Sequence, residues 1–363
     1  MKKAVIYTAF AICILCLWQT ATLADESHAT VLYEPESGSF LFEDNAHVSL
    51  PMASTTKIMT ALVALEAAPP DTVLRVPREA VGTEGTSLYL KEGDTGTLSD
   101  FLYALMLNSA NDAAVTIAVN LYGSVEAFAD AMNRRADALS LTETHFANPH
   151  GLPSDAHYTS AHDLAVITAE AMLNPDFCRI ASTKEATIRL NGGETVRHLR
   201  NHNRLLFSFP DAVGVKTGFT KKSGRCLVSA ARRDGVTVIA VTLNCPDDWQ
   251  KHTALLNDGL LSFERVTLAN AKDIAFTLPV IGGKATEVLA YNPSDVTCVL
   301  PKGADVSVSV ETTRMPAAPI KKGSPIGRIV FTLDGRTVAD APLVAAKDIP
   351  KFTLKRHIFS FFK

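Results

Sequence analysis

From Ser54 to Ala68 apolar residues occupy nearly every face of a helical projection, Ile58, Met59, Leu62, Val63 and Leu65 among them, with Lys57 in the first turn. A helix that is apolar all round has no side to give to water, so it must run through the centre of a domain with other elements packed on several sides. Pro69-Pro70 stops it. The same requirement draws an amine into a place where charge is costly. Holding a lysine neutral at pH 7 takes about 4.6 kcal/mol from its ordinary pKa near 10.4.

The rest of the chain supplies the layers such a helix needs. Val31-Leu32-Tyr33 and Ser39-Phe40-Leu41-Phe42 read as a strand pair around Pro35 and Gly38. A second helix is expected from Ser99, its cap, to Leu107, and a third after Asn111, which makes Ser109-Ala110-Asn111 a break between helices. A helical run follows from Ser160 through Asn174, ended by Pro175. Val213 to Thr217, Cys226 to Ala231 and Val236 to Leu243 read as strands, the last two joined by the turn Arg233-Asp234-Gly235. The expected class is α/β of the α+β kind over 25–261: an antiparallel sheet flanked by helices. Beyond Ser262 short alternating runs such as Val306-Ser307-Val308-Ser309-Val310 replace helical periodicity, so 262–346 reads as a small all-β domain.

The two ends have their own character. Lys2 and Lys3, the apolar run Ala4 to Trp18 and the small residues up to Ala24 spell a cleavable secretory signal over 1–24, which places the mature protein outside the cytoplasm. At 347–363, Phe352, Leu354, Ile358, Phe359, Phe361 and Phe362 alternate with Lys351, Lys355, Arg356 and His357, a composition suited to the surface of an anionic membrane or to docking on the β domain. A formal net charge of -3 gives no electrostatic reason to bind nucleic acid. Beyond the leader, Cys178, Cys226, Cys245 and Cys298 make no disulfide framework. Cys226 and Cys245 could meet across a hairpin, or all four could be buried thiols. Cys13-Ile14-Leu15-Cys16 lies within the leader, and with no C-x-x-C or H-E-x-x-H beyond it, neither a metal nor another cofactor is expected.

Chemistry is carried by three short motifs in order: Ser54-Thr55-Thr56-Lys57 at a helix start, Ser109-Ala110-Asn111 between helices and Lys216-Thr217-Gly218 on a strand. Taken singly, each could be a helix cap, a turn or a strand end. Together they form a nucleophile site. Ser54 and Lys57 stack one turn apart, and backbone N–H groups at the helix start favour an oxyanion. Lys57 is the expected general base, its pKa depressed by burial and by Lys216, which also attracts a substrate carboxylate. Ser109 is expected to relay a proton to the leaving group, and Asn111 to fix Lys57 and a substrate amide. His150, in a turn, is read as a structural hydrogen bonder, since no G-x-S-x-G elbow accompanies it.

These segments, with Phe146-Ala147-Asn148-Pro149-His150-Gly151-Leu152 and Val213-Gly214-Val215-Lys216-Thr217-Gly218-Phe219-Thr220, resemble the D-alanyl-D-alanine carboxypeptidases, the low-molecular-mass penicillin-binding proteins of the serine peptidase type. The resemblance runs from about Thr30 to Leu261 and extends to the β domain and tail. It implies a β-lactamase-like catalytic domain and removal of the terminal D-alanine from peptidoglycan pentapeptides through a Ser54 acyl-enzyme, with β-lactams as covalent inhibitors. It also implies an oxyanion hole from the backbone N–H groups of Ser54 and Phe219, substrate binding along Lys216, Thr217, Gly218 and Phe219, and attachment to the outer face of the cytoplasmic membrane. One departure stands out. Some relatives place a carboxylate-binding arginine after the strand that follows the lysine motif, whereas Leu243-Asn244-Cys245-Pro246 has none, which leaves Lys216, Thr217 and Arg225 to the task. Two rival readings are a class A-like β-lactamase using Glu170 of Glu170-Ala171-Met172-Leu173-Asn174, and a module that binds wall peptides without turnover.

Overall fold

The computed structural model describes residues 28–312 and 315–353. The signal at 1–24 and the tail from residue 354 onward lie outside the described residues. Strands β1 (Ala29–Glu34) and β2 (Ser39–Asp44) open the first domain. Helices α1 (Lys57–Ala67), α2 (Leu98–Leu107), α3 (Asn111–Tyr122), α4 (Val125–Ala138), α5 (Ala161–Ala171) and α6 (Pro175–Ser182) follow. Strands β3 (Ala212–Thr220), β4 (Gly224–Arg233) and β5 (Val236–Leu243) and helix α7 (Asp248–Ser262) complete it. The five strands form one antiparallel sheet in the order β2-β1-β5-β4-β3, which leaves β3, the strand of the lysine motif, at an edge.

As its sequence requires, α1 is buried: Ile58, Met59, Ala61, Leu62 and Val63 are all at most 3% exposed. Each of its larger aliphatic side chains contributes roughly 1.5–3 kcal/mol by leaving water. They share one core with Phe101, Leu102 and Leu105 of α2, Ile117 of α3 and Val228 and Val241 of the sheet. On the sheet's other face, Leu256 and Leu260 of α7 pack on Leu32, Leu227 and Val238.

Local chemistry moves three boundaries from their sequence positions. α1 does not begin at Ser54; Ala53–Thr56 form a 3-10 turn and the α-helix starts at Lys57. α2 is capped by Thr97 rather than Ser99, because Thr97 and Asp100 close a reciprocal capping box. Pro175 does not end a helix but begins one: Asn174 accepts from the N–H groups of Asp176 and Phe177, and proline fills the first turn, where its missing N–H costs nothing.

From Phe263 the chain forms a second, all-β unit with its own core, built around Val288, Ile329, Phe331 and Leu343. A five-stranded sheet of Ala275–Pro279, Glu287–Tyr291, Ser307–Thr312, Pro325–Leu333 and Arg336–Ala345 makes up most of it. Residues 347–353, counted with the tail on sequence, are tied to this unit, since Ile349 pairs with Ile320 and Lys351 with Gly283. The ribbon Phe263–Ala269 with Val296–Pro301 joins the two domains: Phe263 and Val299 enter the α7 core, and Glu36 accepts from the Val299 N–H at 3.1 Å and pairs with Arg265. Cys178, Cys226, Cys245 and Cys298 are free thiols.

Candidate active site

Ser54 stands in the 3-10 turn between Ala53 and Lys57, and that turn is clamped from two sides. Ala53 has a φ of 47° and Ser109 one of 58°, both left-handed and both unusual for residues with a side chain. Gly151, at φ +90°, lies so close that a Cβ there would come within 2.0 Å of the Ala53 carbonyl oxygen. Gly218 of β3 abuts the other side, where a Cβ would sit 3.0 Å from the Ser54 nitrogen. Only glycine permits these two approaches.

Lys57 is fully buried, and its Nζ meets three oxygens: Ser54 Oγ at 2.9 Å, Asn111 Oδ1 at 2.7 Å and the His150 carbonyl at 2.5 Å. Burial, then the charge of Lys216, drive its pKa well below the lysine range, against a smaller opposing pull from Asp112. A neutral amine has two hydrogens and one lone pair. In that form both hydrogens would go to the amide and peptide oxygens, which only accept, and the lone pair would face Ser54, ready to receive its hydroxyl proton. Asn111 is held in turn, its Nδ2 donating to the Glu84 carbonyl at 2.6 Å.

Lys216 is also buried, and its Nζ donates to the Thr217 carbonyl at 2.8 Å. Burial pulls its pKa down to about 7. Ser54, Ser109, Thr217, Gly218 and Phe219 line one cleft of about 320 Å³. Lys57 reaches the cleft through its bond to Ser54, and Asn111 through its bond to Lys57.

The structure adds residues that sequence reasoning passed over. The carbonyl of His150, not its ring, serves the site; the ring accepts from the Leu152 N–H, and burial holds its pKa at about 3. His202, Arg204 and Trp249 line the cleft, and burial, with the nearby Lys216, keeps His202 below its ordinary pKa. Arg225 also lines it, gripped by Asp248 through contacts of 3.1, 3.1 and 2.8 Å. Arg204 and Arg225 lie 5.9 and 5.8 Å from the Trp249 ring. Glu170 is engaged elsewhere, in a 2.5 Å pair with Arg135.

The chain resembles known proteins along most of its length. The family described as D-alanyl-D-alanine carboxypeptidase matches residues 19–247, and that described as penicillin-binding protein 5, C-terminal domain, matches 263–351. The D-alanyl-D-alanine carboxypeptidase DacF of Bacillus subtilis is 30% identical over 344 residues, 92% of this chain and 88% of the relative. The crystal structure of penicillin binding protein 5 from Haemophilus influenzae superposes with a TM-score of 0.70 at 28% identity, covering 89% of this chain and 97% of that one. The Streptomyces K15 DD-transpeptidase does so at 0.60 and 32% identity, covering 64% of this chain and 96% of its own.

Proposed function

Because this chain belongs to the D-alanyl-D-alanine carboxypeptidase family, we propose the following division of labour among its residues. The protein is a penicillin-binding serine carboxypeptidase that acts on cell-wall peptides. Lys57 takes the Ser54 proton as Oγ attacks the carbonyl of the terminal D-Ala-D-Ala bond. The backbone N–H groups of Ser54 and Phe219 receive the oxyanion, in keeping with the close packing of Gly218 on the serine turn. Ser109 relays that proton from Lys57 to the leaving amine, D-alanine departs, and Lys57, neutral again, activates the water that hydrolyses the Ser54 ester. Asn111 holds Lys57 in line throughout. The observation that carries this reading is the buried Lys57 Nζ, 2.9 Å from Ser54 Oγ and held there by Asn111 Oδ1 and the His150 carbonyl.

The substrate's terminal carboxylate meets Lys216 and Thr217, with Arg225 at the mouth of the cleft standing in for the missing arginine. Asp248 fixes that guanidinium and leaves its side chain 42% exposed. Arg225→Gln is expected to raise KM for a peptide with a free terminus about tenfold and to leave kcat within a few-fold, consistent with a charge-assisted contact of roughly 1.5 kcal/mol. A KM unchanged in this variant removes Arg225 from the role.

The defining experiment measures D-alanine release from a pentapeptide, with and without an added amine acceptor, alongside mass spectrometry after penicillin treatment. A penicilloyl adduct on Ser54 and acceptor-independent D-alanine release are expected. Absence of both in folded protein would leave a binding module only, and release that depends on the acceptor would make it a transpeptidase. The β-lactamase reading has little to work with, since Glu170 is bound to Arg135. The domain plan is a signal at 1–24, a catalytic domain to 261, a β domain that takes in 347–353 as well as 262–346, and a membrane-associating tail from 354 to 363, with action outside the cytoplasm, peripheral on the membrane and independent of nucleic acid. Among the described residues no helix is long and apolar enough to cross a membrane. Deleting residues 354–363 is expected to abolish binding to anionic vesicles.

A further inference from the structure

Outside the catalytic cleft, folding gathers three side chains of metal-ligating type from three separate segments. His47 follows β2, Glu143 lies in the loop after α4 and His162 is in the first turn of α5, and one ligand atom of each lies within 4.8 Å of the others. His47 Nδ1 is 3.0 and 3.1 Å from the two carboxylate oxygens of Glu143, and its Nε2 is 3.9 Å from Glu43. His162 stacks on Phe40 at 4.5 Å and meets the His47 ring, tilted to it by 32°, at 4.6 Å.

The surroundings orient the set. His162 Nδ1 lies 3.2 Å from Asp163 Oδ1. A carboxylate only accepts, so Nδ1 carries the proton and Nε2 keeps a free lone pair. The other oxygen of the buried Asp163 accepts from the Glu143 N–H at 3.0 Å and the Thr144 hydroxyl at 2.8 Å. One carboxylate therefore sets both the tautomer of His162 and the backbone of Glu143, the kind of outer support that metal-bound histidines use.

We propose that His47, Glu143 and His162 bind a divalent transition-metal ion, with water in the fourth position. Two imidazoles with one carboxylate suit zinc and disfavour calcium and magnesium, which prefer oxygen. A tetrahedral ion with bonds of about 2.0–2.1 Å needs ligand atoms about 3.3 Å apart, so the triad closes by side-chain shifts of roughly 1–1.5 Å. The ion replaces the proton shared by His47 and Glu143. It clips the segment after β2, which runs through Leu50 and its bridge to Thr159 into the serine turn, onto the start of α5. No spacing motif announces it, because the ligands come from distant parts of the chain.

Tag-free, full-length protein dialysed against zinc is expected to take up one ion per chain. His162→Gln and His47→Gln should each weaken binding at least tenfold, with Glu143→Gln a gentler third variant and His198→Gln a neutral control. Cobalt should give tetrahedral visible absorption bands that His162→Gln abolishes, and zinc should raise the thermal midpoint of wild type but not of the variants. Penicillin labelling of Ser54, which uses none of these residues, reports that each variant is folded. If His162→Gln does not label, the other two variants carry the test. No zinc uptake, or uptake unchanged in the labelled variants, overturns the proposal.

Discussion

Two buried lysines within electrostatic reach decide the chemistry at the scale of single residues. Lys57 has lost its proton at a pH well below the ordinary lysine range, so the rate of acylation rises with pH only on the acid side of its profile, where Lys57 deprotonates. Lys216, at about 7 in the free enzyme, loses its charge as the pH rises through that value, and kcat/KM is expected to fall on the alkaline side as it does. A bound carboxylate favours the charged amine, so the alkaline limb of kcat should lie higher than that of kcat/KM. Lys216→Arg, which keeps its charge, should remove that limb; a limb that persists at the same pH assigns it elsewhere. Lys57→Ala is expected to slow penicilloylation about 10²–10⁴-fold, the usual yield of a positioned base. The motif spacing made both lysines legible in advance, because side chains declare their type. The third partner of Lys57 was not legible: any residue at position 150 offers the same carbonyl.

At the scale of elements, the serine turn owes its shape to neighbours more than to its own sequence. The loop 148–152 is pinned by Asn148, whose Oδ1 accepts from Gly151 at 2.7 Å and whose Nδ2 donates to Leu152, while Thr60 of α1 donates to the Pro149 carbonyl at 2.7 Å. Gly151→Ala forces a Cβ into the Ala53 carbonyl from a left-handed backbone, and is expected to lower stability by roughly 2 kcal/mol or more while nearly abolishing acylation, as read by chemical denaturation and penicillin labelling. Unchanged labelling would mean that the loop does not hold the serine. The periodicity of α1 told that it would be buried, yet not that its first turn would tighten into a 3-10 turn, since that follows from contacts with β3 and the 148–152 loop. The helix start at Thr97 was misplaced and the one at Pro175 missed for a simpler reason. Several residues there can cap, and only the reciprocal bonds of Thr97 with Asp100, and the bonds that Asn174 accepts from the next helix, choose between them.

The whole molecule has two main cores joined through a ribbon and the Glu36–Arg265 pair. Heating is expected to give two transitions, with penicillin raising the midpoint of one alone; a single transition that shifts as a unit would show that the ribbon couples the domains fully. Within the first domain, β3 ends the sheet and borders the cleft. Such a border offers main-chain hydrogen bonds to any extended peptide, whatever its side chains. Recognition along it is therefore generic, and the choice of where to cut falls to the cations at one end and the hydroxyl beside them. A wall peptide already shortened by its last residue still finds most of that border, so the trimmed product should linger as a competitor of fresh substrate and slow its own formation as it builds up.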